Sequence, residues 1–205
     1  QGCPVPLGAK RTELINWPWL NQSSDADIVA ELLPPKESPA RIPVIVSDQP
    51  GVNLAGYFLA ELGVGQMGRL LVDAVKACGL PYSTVVNRQT SSRQRAQFTE
   101  VTTPVRYPIN ISAVNADQFP FWAHEVGLEF FQGRPTVGMW AWEVEEFPTY
   151  PVALGLVDEI WAISKFGQTA ISKTTDKPVH VIPLPVAEPP PHRPLDRAAL
   201  GLPEG

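Results

Sequence analysis

The sequence is short of cysteine. Its 205 residues include two, Cys3 and Cys78, which gives no basis for a disulfide framework and makes a reducing compartment the default. Histidine is also scarce. His124, His180 and His192 are scattered and do not make metal-ligand spacing; no zinc, calcium or nucleophile–His–acid pattern is visible. Basic charge is outnumbered: 16 Lys and Arg stand against 21 Asp and Glu, a net charge of −5 at pH 7, which argues against bulk nucleic-acid binding. No apolar run approaches the ~20 residues of a membrane span, and no signal peptide is visible, although the chain starts at Gln1. What is abundant is proline, with 23 residues that cluster in loops and leave the periodic segments intact. A composition 44% hydrophobic and 18% charged suits one or at most two globular domains with a real core.

The most informative stretch is Val52–Gly79. Val52–Phe58 is apolar at most positions, as a strand buried on both faces must be. Gly63, Gly65 and Gly68 follow in GxGxxG spacing. Met67, Leu70, Leu71, Ala74, Val75 and Cys78 then form an amphipathic helical stripe, stopped by Gly79. A glycine loop feeding a helix N-terminus offers backbone N–H groups and a partial positive charge to phosphate. Gly65 is the expected point of closest approach to an anionic group, with a positive φ as a second reason for glycine. The alternative is a turn with tight helix–sheet packing and no ligand.

The rest of the chain alternates strand and helix. Residues 1–41 read as an N-terminal arm with Trp17-Pro18-Trp19 and one short helix, followed by a short strand at Ile42–Val46. Further strands are predicted at Tyr82–Val86, Ile109–Val114, Pro135–Trp140, Glu159–Ile163 and Pro178–Ile182. Helices are predicted at Phe119–Phe131, Val152–Leu156 and, capped by Ser164, through about Thr174. Arg88–Arg106 reads as a long mobile loop, either a solvated connector or an anion-binding segment. The pattern predicts an α/β, Rossmann-like, doubly wound parallel sheet over 42–186, with ligands at the carboxyl ends of the strands. Residues 187–205 read as a proline-rich interdomain linker and the start of a further domain.

Several side chains at those strand ends suit sugar hydroxyls. Asn115, Asp117 and Gln118 follow the Ile109–Val114 strand; they read hydroxyls or cap the helix at Phe119. Trp140 and Trp142 offer aromatic faces to a sugar's C–H surface, or belong to the core. Glu143 is preferred over Glu145 and Glu146 as the carboxylate of a catalytic site, because Trp142-Glu143 abuts the strand; the alternative is a solvated helix start.

In this order and spacing, GVNLAGYFLAELGVGQMGR, VNADQFP, GMWAWEVEEFP, VDEIWAISKFGQTAI and RAALGLPEG resemble the N-terminal half of bacterial glycosyltransferase family 4 proteins. These are retaining enzymes of the two-Rossmann-domain architecture called GT-B. The resemblance covers Ile42 to Gly205. It implies one acceptor-side half of a GT-B enzyme. No cofactor is held tightly; a nucleotide-sugar is the donor co-substrate, and a glycan, lipid or small molecule is the acceptor. A C-terminal donor domain is expected as the missing partner, with this fragment inactive alone. The implied compartment is the cytoplasm, with peripheral association at the inner membrane face left open, and no nucleic-acid partner. Gly63, Gly65 and Gln66 match the family's glycine loop facing the donor diphosphate, and Ser164 matches its serine at a strand–helix turn. The family's histidine after the fourth strand has no counterpart in Trp140-Ala141-Trp142-Glu143.

Two other functions fit parts of the pattern. An NAD(P)-dependent oxidoreductase domain would use the literal GxGxxG. However, Leu59–Leu62 separate strand from glycines, and Asn87-Arg88 stand where an acidic residue should end the second strand. Arg88 would suit a 2′-phosphate. A non-catalytic carbohydrate-binding module would use the same tryptophans and carboxylates.

Overall fold

The computed structural model describes residues 49–100, 104–186 and 198–203. The expected arm at 1–41, the strand at Ile42–Val46, Cys3, His192 and most of the proline-rich linker lie outside these residues.

Six strands form one sheet: β1 (Val52–Gly56), β2 (Tyr82–Val86), β3 (Ile109–Ala113), β4 (Thr136–Trp140), β5 (Glu159–Ala162) and β6 (Val179–Val181). Their order across the sheet is β2-β1-β3-β4-β5-β6 and every pairing is parallel. Five helices accompany them: α1 (Gly63–Ala77), α2 (Phe119–Val126), α3 (Leu128–Phe131), α4 (Pro151–Leu156) and α5 (Lys165–Ser172). This is the expected doubly wound α/β, Rossmann-like architecture. The sheet grows from β1 toward β2 and then, from β3 onward, the other way. With right-handed crossovers that reversal puts α1 on one face and the later helices on the other.

The two cores follow this division. On one face Met67, Leu71, Val72 and Val75 of α1 pack on Val52, Leu54, Ile111 and Met139. Burying each such side chain contributes about 1.5–3 kcal/mol. On the other face Ala55, Val114, Trp140 and Ile160 meet the helices α2 to α5. Phe119, Trp122, Phe130 and Phe131 form an edge-to-face aromatic cluster there. The expected continuous helix over Phe119–Phe131 is two helices, because Gly127 adopts φ 84° and breaks the turn between them.

At the amino ends of the strands a polar network replaces apolar packing. Buried Asn53 accepts at Oδ1 from Ser83 Oγ (2.7 Å) and from the main-chain N–H groups of Arg106 and Tyr107 (2.9 Å each). Its Nδ2 donates to Asn110 Oδ1 at 2.8 Å and to Tyr107 O at 2.7 Å. Asn110 Nδ2 in turn donates to Phe130 O at 2.8 Å. The 88–100 segment has no regular structure but is attached: Ala96 N donates to Leu59 O, Glu61 N to Arg93 O, and Phe98 stacks on Phe58 at 4.8 Å. No helix among the described residues is long and apolar enough to cross a membrane.

Candidate functional site

The strand order reverses between β1 and β3, so a crevice opens beyond their carboxyl ends. Two cavities occupy it, and both are lined by Val64 and Asn115. The larger, about 460 Å³, has mostly apolar walls from Met67, Trp142, Val144, Ile163 and Leu184, with Glu143 at its edge. The smaller, about 320 Å³, is lined by Tyr57, Thr90, Ser91, Asp117 and Gln118 together with Gln89.

Asn115 holds the divide between them. Its Oδ1 accepts from Ala141 N at 2.9 Å, tying the end of β3 to the end of β4. Its main-chain oxygen accepts from Gln118 N (3.0 Å) and Phe119 N (2.9 Å), which turns the chain into α2. No side chain caps that helix, so the polar side-chain groups of Asn115, Asp117 and Gln118 are not consumed by capping. Gln118 Nε2 donates to Asp117 Oδ2 at 3.2 Å and orients that exposed carboxylate. Asp117 acts on two tyrosines. Burial and then the Asp117 charge push Tyr57 up to about 12, with Glu125 adding to the shift and the neighbouring Asn87 amide opposing it. Burial and Asp117 also raise Tyr150.

The glycines correct the phosphate expectation. Gly65 is buried, its φ is not positive, and a Cβ there would lie 2.7 Å from both Tyr57 O and Ala60 O. A Cβ at Gly68 would lie 3.0 Å from the Phe58 ring, whereas Gly63 faces open space. Two of the three glycines are therefore explained by close packing of α1 on the 57–60 turn. Gln66 N donates to Leu62 O inside the helix, and its Oε1 accepts from Arg69 Nε and Nη2. The N–H group expected to meet an anion at Gln66 is thus already used. Arg69, not singled out in the sequence, turns back to donate to Phe58 O (2.9 Å) and Ala60 O (3.0 Å).

Set against known proteins, the chain matches no family model, no curated protein and no solved structure.

The tryptophans divide. Trp140 is buried, stacked on Phe147 at 5.9 Å and edge-on to Phe119 at 6.2 Å, so it offers no face to a ligand. The expected sugar-stacking role does not fit it; β4 is buried on both faces, and Trp140 belongs to the core shared with α2 to α5. Trp142 is half-buried and lines the larger cavity, its Nε1 donating to Glu146 O at 3.0 Å. Glu143 is exposed and has no hydrogen-bond or ion-pair partner among the described residues. Ser164 is the N-cap of α5, where its Oγ accepts from Gly167 N at 3.1 Å; Ile163 beside it is the residue that lines the larger cavity.

Three further residues belong to the smaller cavity's surroundings. Tyr57 reads in sequence as the tail of a buried strand, but β1 ends at Gly56, and Tyr57, though buried, contributes to the lining of the smaller cavity. Asn87, buried at the end of β2, accepts from Gln89 N at Oδ1, while its Nδ2 makes no hydrogen bond of good geometry among the described residues. Glu125 of α2 has Oε2 buried without a partner, and burial raises its pKa. Tyr57 and Asn87 share one sequence signal, a polar residue directly after an apolar strand, whereas Glu125 lies within α2 and has none.

Proposed function

We propose that this chain is the acceptor-side domain of a retaining glycosyltransferase with two Rossmann-like domains. A nucleotide-sugar donor is held by a second domain and closes over the crevice. The observation that carries this reading is the pair of adjoining cavities at the switch point, divided by Asn115. The smaller presents hydroxyl, amide and carboxylate groups that suit an acceptor sugar or polyol. The larger presents an aromatic face at Trp142 beside the unpaired carboxylate of Glu143, a combination that suits a sugar ring and its hydroxyls. In this arrangement Asn115, Asp117 and Gln118 position the acceptor. Glu143 holds donor-sugar hydroxyls near the leaving diphosphate. Gly63, Gly65 and Ser164 contribute the shape of the crevice floor and its flanking helix, and no tightly held cofactor takes part.

The test is transfer by the full-length gene product. Supplied with UDP-, GDP- and ADP-activated sugars and a mixed sugar, polyol and lipid acceptor panel, it is expected to release nucleoside diphosphate in an acceptor-dependent way. The 205-residue chain alone is expected to release none. Absence of a second Rossmann-like domain in the full-length product, or transfer by this chain alone, sinks the reading. Saturable micromolar binding of NADH or NADPH to the chain in a calorimetric titration would favour the oxidoreductase reading instead.

A further inference from the structure

The geometry points to an uncharged polyol ring, bearing vicinal hydroxyls and no phosphate, as the occupant of the cavity beside Tyr57 and Asp117. This deepens the transferase reading and rests on it for the ligand's role as acceptor, but not for its chemistry.

Three observations carry it. The first is the lining. Tyr57, Thr90, Ser91, Asn115, Asp117 and Gln118 supply phenol, hydroxyl, amide and carboxylate groups, and among the described residues no lysine, arginine or histidine lines the cavity. Asp117 has one oxygen already engaged by Gln118. Asn115 uses Oδ1 on Ala141 N, and its Nδ2 makes no hydrogen bond among the described residues. A carboxylate that accepts beside an amide and a phenol that donate matches a pair of neighbouring hydroxyls, each of which both donates and accepts. Tyr57 stays protonated at neutral pH, because burial and Asp117 hold it at about 12, so it serves as a donor.

The second is an unsatisfied group. Asn87 is 2% exposed, and its Nδ2 makes no hydrogen bond of good geometry among the described residues, interacting only loosely with the Tyr57 phenol. Tyr57, whose phenol it neighbours, is one of the residues lining the cavity. A buried donor without a well-formed hydrogen bond costs up to about 3 kcal/mol, and a ligand oxygen reaching past Tyr57 would reduce that cost.

The third is charge. Two guanidinium groups of the surrounding segments are committed elsewhere, Arg69 to Phe58 O and Ala60 O and Arg93 to Glu61 at 2.7 Å, and exposed Arg88, next to the lining residue Gln89, is not itself part of the lining. Asp117 and Glu125 both act electrostatically on Tyr57, so a phosphate would enter a field of its own sign with no cation among the described lining residues. A volume of about 320 Å³ is at the lower end of small-molecule sites and suits one ring rather than a dinucleotide. Leu62 and Val64 give that ring an apolar surface for its C–H face.

The experiment is an NMR titration of the ¹⁵N-labelled 205-residue chain at constant ionic strength. The neutral probes are methyl α-D-glucopyranoside, methyl α-D-mannopyranoside and myo-inositol. Their charged counterparts are glucose 6-phosphate, mannose 6-phosphate and inositol 1-phosphate. At least one neutral probe is expected to saturate, with shifts at the amides of Thr90, Ser91, Asn115 and Asp117. Its phosphorylated counterpart is expected to bind at least about tenfold more weakly. Asp117→Asn, an exposed and isosteric change, is expected to weaken neutral binding by about tenfold or more and to narrow the discrimination against phosphate, with unchanged amide dispersion elsewhere. Saturation by no neutral probe, or equal or tighter binding of a phosphorylated one, overturns the proposal. Transfer by the full-length product without polyol binding here would overturn this subsite and leave the transferase reading standing. Polyol binding without transfer would do the reverse.

Discussion

A methyl group at position 65 has nowhere to go. The two nearest atoms are main-chain carbonyl oxygens, of Tyr57 and Ala60, and both belong to a turn pinned by Arg69. Backbone cannot swing aside as a side chain can. Gly65→Ala is therefore expected to cost about 1–3 kcal/mol of stability, the usual cost of overpacking. Gly63→Ala is expected to do the opposite: its Cβ meets nothing within 4 Å, and replacing a helical glycine restricts the unfolded chain, for a gain of about 0.5 kcal/mol. Thermal melting of the two variants checks both signs; equal melting temperatures would mean that neither packing argument holds. The GxGxxG spacing was legible in the sequence, but its cause was not. A glycine pattern records where a side chain is refused, not whether a ligand or the protein's own carbonyl refuses it. Trp140 and Trp142 show the same limit. Two residues apart on β4 and its extension, they share a composition signal, and only their surroundings separate a core ring from one that lines a cavity.

At the scale of elements, periodicity served well where packing is the only constraint. The boundaries of β2 match the prediction residue for residue, and those of β1, β3, β4, β5 and β6 fall within two residues of it. It served poorly where a single backbone angle or a polar contact decides. The apolar pattern runs unbroken through Gly127, yet its φ of 84° splits the helix. The 88–100 segment looked like a solvated loop because its contacts are main-chain hydrogen bonds and one Phe58–Phe98 stack, which leave no periodic trace. Asn53 is the clearest case. An asparagine inside an apolar strand reads as a blemish, but its side chain joins β1 to β2, to β3 and to the 106–107 segment. Asn53→Leu would strand the Ser83 hydroxyl and two main-chain N–H groups without their acceptor. The expected loss is on the order of 3 kcal/mol or more, since each buried orphan costs about 1–3 kcal/mol. Denaturant unfolding of the variant measures it; a loss under about 1 kcal/mol would mean that water replaces the asparagine.

For the whole molecule, Tyr57 couples the crevice to global stability. Its folded-state pKa of about 12 lies above the ordinary 10.0, so the folded chain holds this proton more tightly than the unfolded chain does. The stabilisation is complete below pH 10 and is lost as pH rises from 10 toward 12. Tyr57→Phe is expected to flatten that alkaline decline, visible as a shallower fall of melting temperature over the same window. A parallel decline in both proteins would place the alkaline sensitivity elsewhere. The strand order carries one more consequence, in the order of synthesis. β1 is the first strand of the described sheet to leave the ribosome, yet it ends up between β2 and β3. Asn53 and its partner Asn110 are 57 residues apart. At ~5–20 residues per second, a nascent VNLAG segment, buried on both faces in the finished sheet, waits roughly 3–10 s for its second neighbour. During that interval it offers an open hydrogen-bonding edge and an apolar surface to any other chain emerging nearby. A strand interior to the finished sheet thus has an open edge during translation, and a nascent-chain chaperone would find its binding site there.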